Sequence, residues 1–303
     1  MGLWDSLLDK SVYFSFDQSG FLRHQKQFQE DLSKLKALEG KQALITGGTS
    51  GIGLATTKFL LNKQVSCVVT GRRAPRADVE DQYYSFYQLD MGDWEHIRKF
   101  VKTLKPIDYL VLNAGGMPKS FKVNTQGVEY QFASQLFGHY YLLKILIEEN
   151  KLNLNARVVW VSSGGMYLTP LKLGQIFKDP GPKYDKVATY ANVKRAQIIL
   201  VEELVKDQNY KNFTISSMHP GWADTVGVRS SIPGFWKFTQ KRLRTPEQAC
   251  DTILWLLLTN KKYQSGGFWF DRKRFNPYIF FWTKESLKDR RRLMEILNKF
   301  FSK

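Results

Sequence analysis

Residues 42–53 read Gln42-Ala43-Leu44-Ile45-Thr46-Gly47-Gly48-Thr49-Ser50-Gly51-Ile52-Gly53, a short apolar run followed by four glycines in seven positions. The run predicts a strand over Gln42–Thr46, and the amphipathic window 51–63 predicts a helix. Glycine between them lets the backbone turn tightly and approach a ligand. The helix start supplies free N–H groups and the positive end of a dipole. A lone glycine triplet says little, but a strand before it and a helix after it give the context that a phosphate-binding turn requires. Gly47, Thr49, Ser50, Gly51, Ile52 and Gly53 are therefore candidate ligand contacts.

Outward from this turn, strand-like runs alternate with longer helical windows. Further strands are expected at Val65–Thr70, Tyr84–Leu89, Tyr109–Leu112, Arg157–Val161, Phe213–Met218 and Gly267–Phe270. Helices are expected near 93–104, 126–150, 186–207 and 246–259, the last opened by Thr245-Pro246-Glu247. This alternation predicts an α/β fold, a Rossmann-type doubly wound parallel sheet of about seven strands. Residues 1–40 form a preceding helical extension and 41–303 a single domain with an aromatic and basic C-terminal segment. The start, Met1 to Leu8, suits either a membrane face or a cap on the core, and Met1-Gly2 with Ser6 fits the loose myristoylation pattern.

The spacing T-G-x-x-x-G-x-G resembles that of the short-chain dehydrogenase/reductase family, which implies a nicotinamide dinucleotide as cofactor. An acidic residue at the end of the second strand would accept a ribose 2′-hydroxyl, whereas a 2′-phosphate needs a cation. The strand here ends Thr70-Gly71-Arg72-Arg73. Arg72 stands where relatives place a phosphate-binding arginine, so NADP(H) is favoured over NAD(H); a solvated turn would use the same two arginines. Through the resemblance Asp90 contacts the adenine ring, and Asn113-Ala114-Gly115 matches the element that packs over the adenosine.

Carbonyl reduction needs a proton donor at the oxygen, and a phenol is a weak acid unless a nearby cation lowers its pKa. Tyr190-Ala191-Asn192-Val193-Lys194 puts Tyr and Lys one helical turn apart. Lys194 is thus expected to depress the Tyr190 pKa and to hold ribose hydroxyls. In the family, Ser163 would hydrogen-bond the reacting oxygen, with Ser162 as the alternative. The family's relay asparagine matches Gln135, one methylene longer, which puts the relay in doubt. After the sixth strand, Pro220-Gly221 suits a turn under the nicotinamide, and Thr225 its carboxamide or the pyrophosphate. Stretches such as Val161–Met166, Ser216–Thr225 and Leu293–Leu297 extend the likeness over nearly the whole chain. They narrow it to a subgroup of NAD(P)-dependent oxidoreductases without a defined substrate.

The expected activity is carbonyl reduction or alcohol oxidation on a small or lipophilic molecule. The alternative is a cofactor-binding scaffold or sensor with little turnover, for which Gln135 is the support. The resemblance also implies a homodimer through the helices of the 126–150 and 186–207 windows.

The 303 residues carry a formal charge of +17, divided as −1 over 1–40, +10 over 41–260 and +8 over 261–303. No nucleic-acid motif accompanies this charge, so no nucleic-acid partner is expected. Two cysteines, Cys67 and Cys250, fit a reducing compartment, and no metal-ligand spacing surrounds His219. No apolar run is long enough to span a bilayer. The expected setting is intracellular, either cytoplasmic or peripheral to a membrane. The segment 278–292 interleaves Tyr278-Ile-Phe-Phe-Trp282 with Lys284, Lys288 and Arg290-Arg-Arg292. It reads as either a packed aromatic lid or a peripheral membrane contact.

Overall fold

The computed structural model describes residues 12–75, 79 and 81–301; the Met1–Leu8 readings lie outside them. Two short helices come first, α1 (Val12–Phe16) and α2 (Gln18–Gln25). Then follow β1 (Gln42–Thr46), α3 (Gly51–Leu61), β2 (Ser66–Gly71), β3 (Tyr84–Gln88), α4 (Trp94–Lys102) and β4 (Ile107–Leu112). Helix α5 runs through Tyr130–Phe132, a π-helical turn Ala133–Phe137, and Gly138–Glu148. Beyond it lie β5 (Leu152–Val161), α6 (Lys186–Leu204), β6 (Thr214–Met218), α7 (Val226–Ser231), α8 (Pro233–Thr239) and α9 (Pro246–Leu258). The chain ends in β7 (Phe268–Phe270), β8 (Lys273–Arg274) and α10 (Leu287–Phe301).

The sheet order is β3-β2-β1-β4-β5-β6-β7-β8, parallel except for β8. Because the order reverses between β1 and β4, the strand ends there open into a crevice, the usual ligand position in such sheets. Side chains alternate across the sheet as strand geometry demands: Leu44 joins the core under α4, α5, α6 and α10, while Ala43 and Ile45 join the core under α3 and α9. Helix starts are fixed by side-chain caps. Asp93 accepts from the His96 N–H, Asp185 from Val187 and Ala188, and Thr245 forms a capping box with Gln248.

Several features differ from the sequence expectation, helices α7 and α8 among them, which lie outside the expected windows. An eighth strand is added because Asp271 and Arg272, at φ 46° and 60°, make a tight hairpin turn without glycine. Helix α10 was not among the expected windows. Its buried Leu293, Leu297 and Phe301 recur at four-residue spacing, and Phe301 stacks on Tyr141 at 4.5 Å. Finally, every residue of α6 from Ala191 to Val201 is buried within a single chain. Over α5 lies α10, with the Tyr140 hydroxyl donating to Asn298 at 2.7 Å. Residues 191–201 of α6 therefore pack against the rest of the same chain.

Candidate active site

The glycine turn sits at the crevice. A Cβ on Gly53 would lie 2.3 Å from the Gly47 carbonyl oxygen and 2.7 Å from Asn113 Nδ2, so only glycine lets α3 begin this close to the turn. Asn113 Nδ2 donates to the carbonyls of Thr46 and Gly47 at 3.0 and 3.2 Å, tying the end of β4 to the turn. Whereas Asp93, Asp185 and Thr245 cap their helices, Ser50 makes no side-chain cap, leaving the N–H groups at the start of α3 uncapped by it. That is the donor set a pyrophosphate requires, so the residues present fit a dinucleotide.

Thr46, passed over in the sequence, organises this end of the sheet. Its buried hydroxyl accepts from the backbone N–H groups of Asn113 and Ala114 at 2.9 and 3.0 Å. It also lies 3.0 Å from His139 Nε2. His139 Nδ1 is 3.0 Å from the Gln135 carbonyl, which can only accept, so the ring carries its proton on Nδ1, and the one Thr46 hydroxyl proton is shared between Nε2 and the Val111 carbonyl at 3.2 Å. Burial, reinforced by the Lys194 charge, pushes the His139 pKa down to about 3 and keeps the ring neutral.

At the adenosine end, a Cβ on Gly71 would stand 2.9 Å from Thr49 Oγ1, which places Thr49 beside the end of β2 next to exposed Arg72. Asp90 accepts from the Gly92 N–H at 2.8 Å and from the Tyr130 hydroxyl at 2.5 Å. Tyr130 also feels the Arg72 charge. This tyrosine links two of the sequence candidates, yet no motif marked it.

Ser163, Tyr190 and Lys194 come together where β5 ends against α6. The Ser162 hydroxyl is buried and donates to the Lys194 carbonyl at 2.9 Å, a structural use. Ser163 is half-buried and accepts the Gly165 N–H at 3.3 Å. The Lys194 ammonium lies 5.2 Å from the Tyr190 ring centre and donates to the Val161 carbonyl at 2.9 Å. The electrostatics correct the sequence expectation. Burial pushes the Tyr190 phenol up to about 12, and the lowering contact comes from the Ser163 hydroxyl. Lys194 is itself driven down by burial to about 7, because the residue is 3% exposed and among the described residues no carboxylate pairs with its ammonium to offset desolvation.

Gln135 lies in the π-helical turn of α5, a local widening that recurs at functional sites. Its backbone carbonyl accepts from both His139 Nδ1 and Gln197 Nε2, at 3.0 and 2.7 Å. Its Nε2 donates to the Gly116 carbonyl at 2.9 Å, and its Oε1 is buried without a partner, aimed at Gly115. Gln197 Oε1 is likewise buried and unpaired.

The far wall is built differently. Gly221, at φ +75°, packs so closely that a Cβ would lie 2.4 Å from Arg244 Nε and 2.6 Å from the Phe16 carbonyl oxygen. The Pro220 carbonyl accepts from Arg244 at 3.5 Å. Thr225 stands opposite the glycine turn, its Cγ2 3.1 Å from a Cβ position on Gly51, and its hydroxyl caps α7. Phe16 of α1 lies within ring-contact distance of His219, Trp222 and Phe270 and meets the Cβ position of Gly164, the residue after Ser163.

A buried ion cluster holds that segment in place: Arg244 donates to both Asp271 carboxylate oxygens at 2.6 and 2.9 Å and to the Ser15 and Asp17 carbonyls. His24 Nδ1 meets Asp271 at 2.6 Å, and Arg242 Nε donates to Asp17 at 2.7 Å. Burial opposes the Asp271 charge, but Arg244 and His24 outweigh it and hold the carboxyl below its usual range. His219 stacks on Phe270 at 4.1 Å with its pKa pushed down to about 3 by burial, and among the described residues no cluster of metal ligands exists.

A twisted parallel sheet carrying a glycine turn at its switch point and a Ser, Tyr and Lys set after the fifth strand defines a dinucleotide-binding oxidoreductase. The chain belongs to the short-chain dehydrogenase/reductase family. The short chain dehydrogenase sequence model matches residues 41–172. The chain is 34% identical over 275 residues to human (Homo sapiens) dehydrogenase/reductase SDR family member 12, covering 86% of each protein. It is 27% identical to retinol dehydrogenase 11 of Mus musculus, covering 73% of this chain and 74% of that one. Among solved structures, the Pseudomonas aeruginosa RhlG/NADP active-site complex shares the fold, with a TM-score of 0.58 and 17% identity over 77% of this chain and 94% of that chain.

Proposed function

We propose that this chain reduces a carbonyl group, or oxidises the corresponding alcohol, on a small or lipophilic substrate with NADP(H) in preference to NAD(H). The carrying observation is the Tyr190 phenol, kept protonated by burial beside the Ser163 hydroxyl and one turn from the buried Lys194 ammonium. Tyr190 donates its proton to the substrate oxygen, Ser163 holds that oxygen, and Lys194, at about 7, exchanges a proton near neutral pH. The bound nicotinamide supplies the hydride. Gly47, Thr49, Ser50, Gly51, Ile52 and Gly53 cradle the pyrophosphate, and Arg72 with Thr49 pairs with the 2′-phosphate. Asp90, Asn113, Ala114 and Gly115 flank the adenosine, while Pro220, Gly221 and Thr225 face the nicotinamide. The doubly occupied Gln135 carbonyl favours a second reading, a cofactor sensor with little turnover.

NADPH oxidation against a panel of aldehydes and ketones tests the proposal, with Tyr190→Phe expected to slow turnover by about 10²- to 10⁴-fold. Equal rates for the two proteins would refute this chemistry. Tight NADPH binding with no turnover on any substrate would favour the sensor.

A further inference from the structure

The loop after β8 and the first turn of α10 display Ile279, Phe281, Trp282 and Leu287 at 49%, 85%, 57% and 70% exposure. Contiguous exposed apolar side chains of this size mark interaction sites. The loop beneath them is firmly packed, since Thr283 is fully buried and Glu285 is 9% exposed. Arg195 donates to the Pro277 carbonyl at 2.9 Å and to the Thr283 hydroxyl at 3.2 Å. Arg290, one of the cations expected to face a membrane, is instead the inner clamp, paired with Glu203 at 2.8 Å, with Glu285 at 2.5 Å and with Glu202. These pairs use Glu202, Glu203 and Glu285, while Asp289 accepts from the Ser286 hydroxyl at 2.7 Å. Lys284, Lys288 and Arg291 stay exposed, with no carboxylate at ion-pair distance among the described residues.

We propose that Ile279, Phe281, Trp282 and Leu287, flanked by Lys284, Lys288 and Arg291, form a docking surface for a lipid bilayer with anionic headgroups. Aromatic rings settle at the boundary between headgroups and acyl chains, and the cations pair with the lipid charge. A second copy of this chain is the poorer occupant, because a twofold contact would bring two identical sets of cations together. No helix among the described residues is long and apolar enough to cross a membrane, so the contact is peripheral. The Arg195 guanidinium that holds this loop also binds the carbonyls of Met166 and Thr169, and Leu168 between them is 77% exposed. The docking surface and the loop carrying Ser163 are thus joined at the residue after Lys194.

Flotation of the full chain with phosphatidylcholine vesicles, with and without phosphatidylserine, tests this surface. The chain is expected to float with the serine-lipid vesicles and about tenfold less with neutral ones or in high salt. Phe281→Ser with Trp282→Ser, and separately Lys284→Gln with Lys288→Gln and Arg291→Gln, should each cut flotation about tenfold while the Tm is unchanged. A wild type indifferent to phosphatidylserine, or variants that float like the wild type, would overturn the proposal. So would a dimer in buffer that Phe281→Ser with Trp282→Ser abolishes, since that assigns the surface to a second copy.

Discussion

The two walls of the crevice are built on opposite principles. The glycine-turn wall uses elements adjacent in sequence: β1, its turn and α3, joined to the end of β4 by the Thr46 and Asn113 side chains and to the end of β2 by the Gly47 N–H donating to the Thr70 carbonyl. The opposite wall joins residues 15–17 to Gly221, Arg244 and Asp271 through buried charges. A wall made of local turns tolerates change elsewhere in the chain, whereas one made of a buried ion cluster stands or falls with each member.

The strongest way to break this contrast is Arg244→Met, which leaves Asp271 buried with only His24 beside it. It should destabilise the fold by about 3–5 kcal/mol in urea unfolding and, because Arg244 also backs the Pro220-Gly221 turn, lower the NADPH affinity of the folded protein by less than a change in the glycine turn does. Loss of affinity without loss of stability would show that the walls are not separate. On the glycine side, Gly53→Ala forces a methyl group against the Gly47 carbonyl, and NADPH affinity, read by fluorescence titration, should fall about tenfold or more for a stability cost of about 1–3 kcal/mol.

Lys194→Met removes a cation that is costly to bury. Because its folded pKa of about 7 lies below the ordinary 10.5, the unfolded chain binds the proton more readily. The penalty grows as pH falls from about 10.5 to about 7 and is constant below. The variant should therefore be more stable near neutrality, by up to about 5 kcal/mol, with the gain vanishing above the upper value, as thermal scans across pH would reveal. Its carbonyl reduction should be lost, and in the wild type the rate should fall as pH rises through about 7. The smallest effect is on Arg72→Asp: stability within about 0.5 kcal/mol of wild type, with preference moved toward NADH by about ten- to a hundredfold in Kd.

The contrast also explains what the sequence disclosed. The glycine turn, Asn113 and the Tyr190/Lys194 pair were legible because strand, turn and helix carry each of them within a few residues. The sequence prefers Ser163 to Ser162 only through the resemblance, and the geometry gives the Ser162 hydroxyl to a backbone carbonyl. The role of Phe16 could not be read, because its partners lie some two hundred residues away and nothing in a phenylalanine announces them. The direction of the Tyr190 shift was also hidden: spacing shows that a cation is near, but only burial decides that desolvation outweighs it. Arg290 looked like one of three surface cations, and its carboxylate partners come from α6 and the preceding loop.

The enclosure of α6 from Ala191 to Val201, with α10 lying beside it, bears on how the enzyme counts its own copies. A helix that finds its neighbours within one polypeptide needs no second chain to keep Tyr190 and Lys194 in register. Specific activity should then be indifferent to dilution, as assays over a range of enzyme concentrations would show.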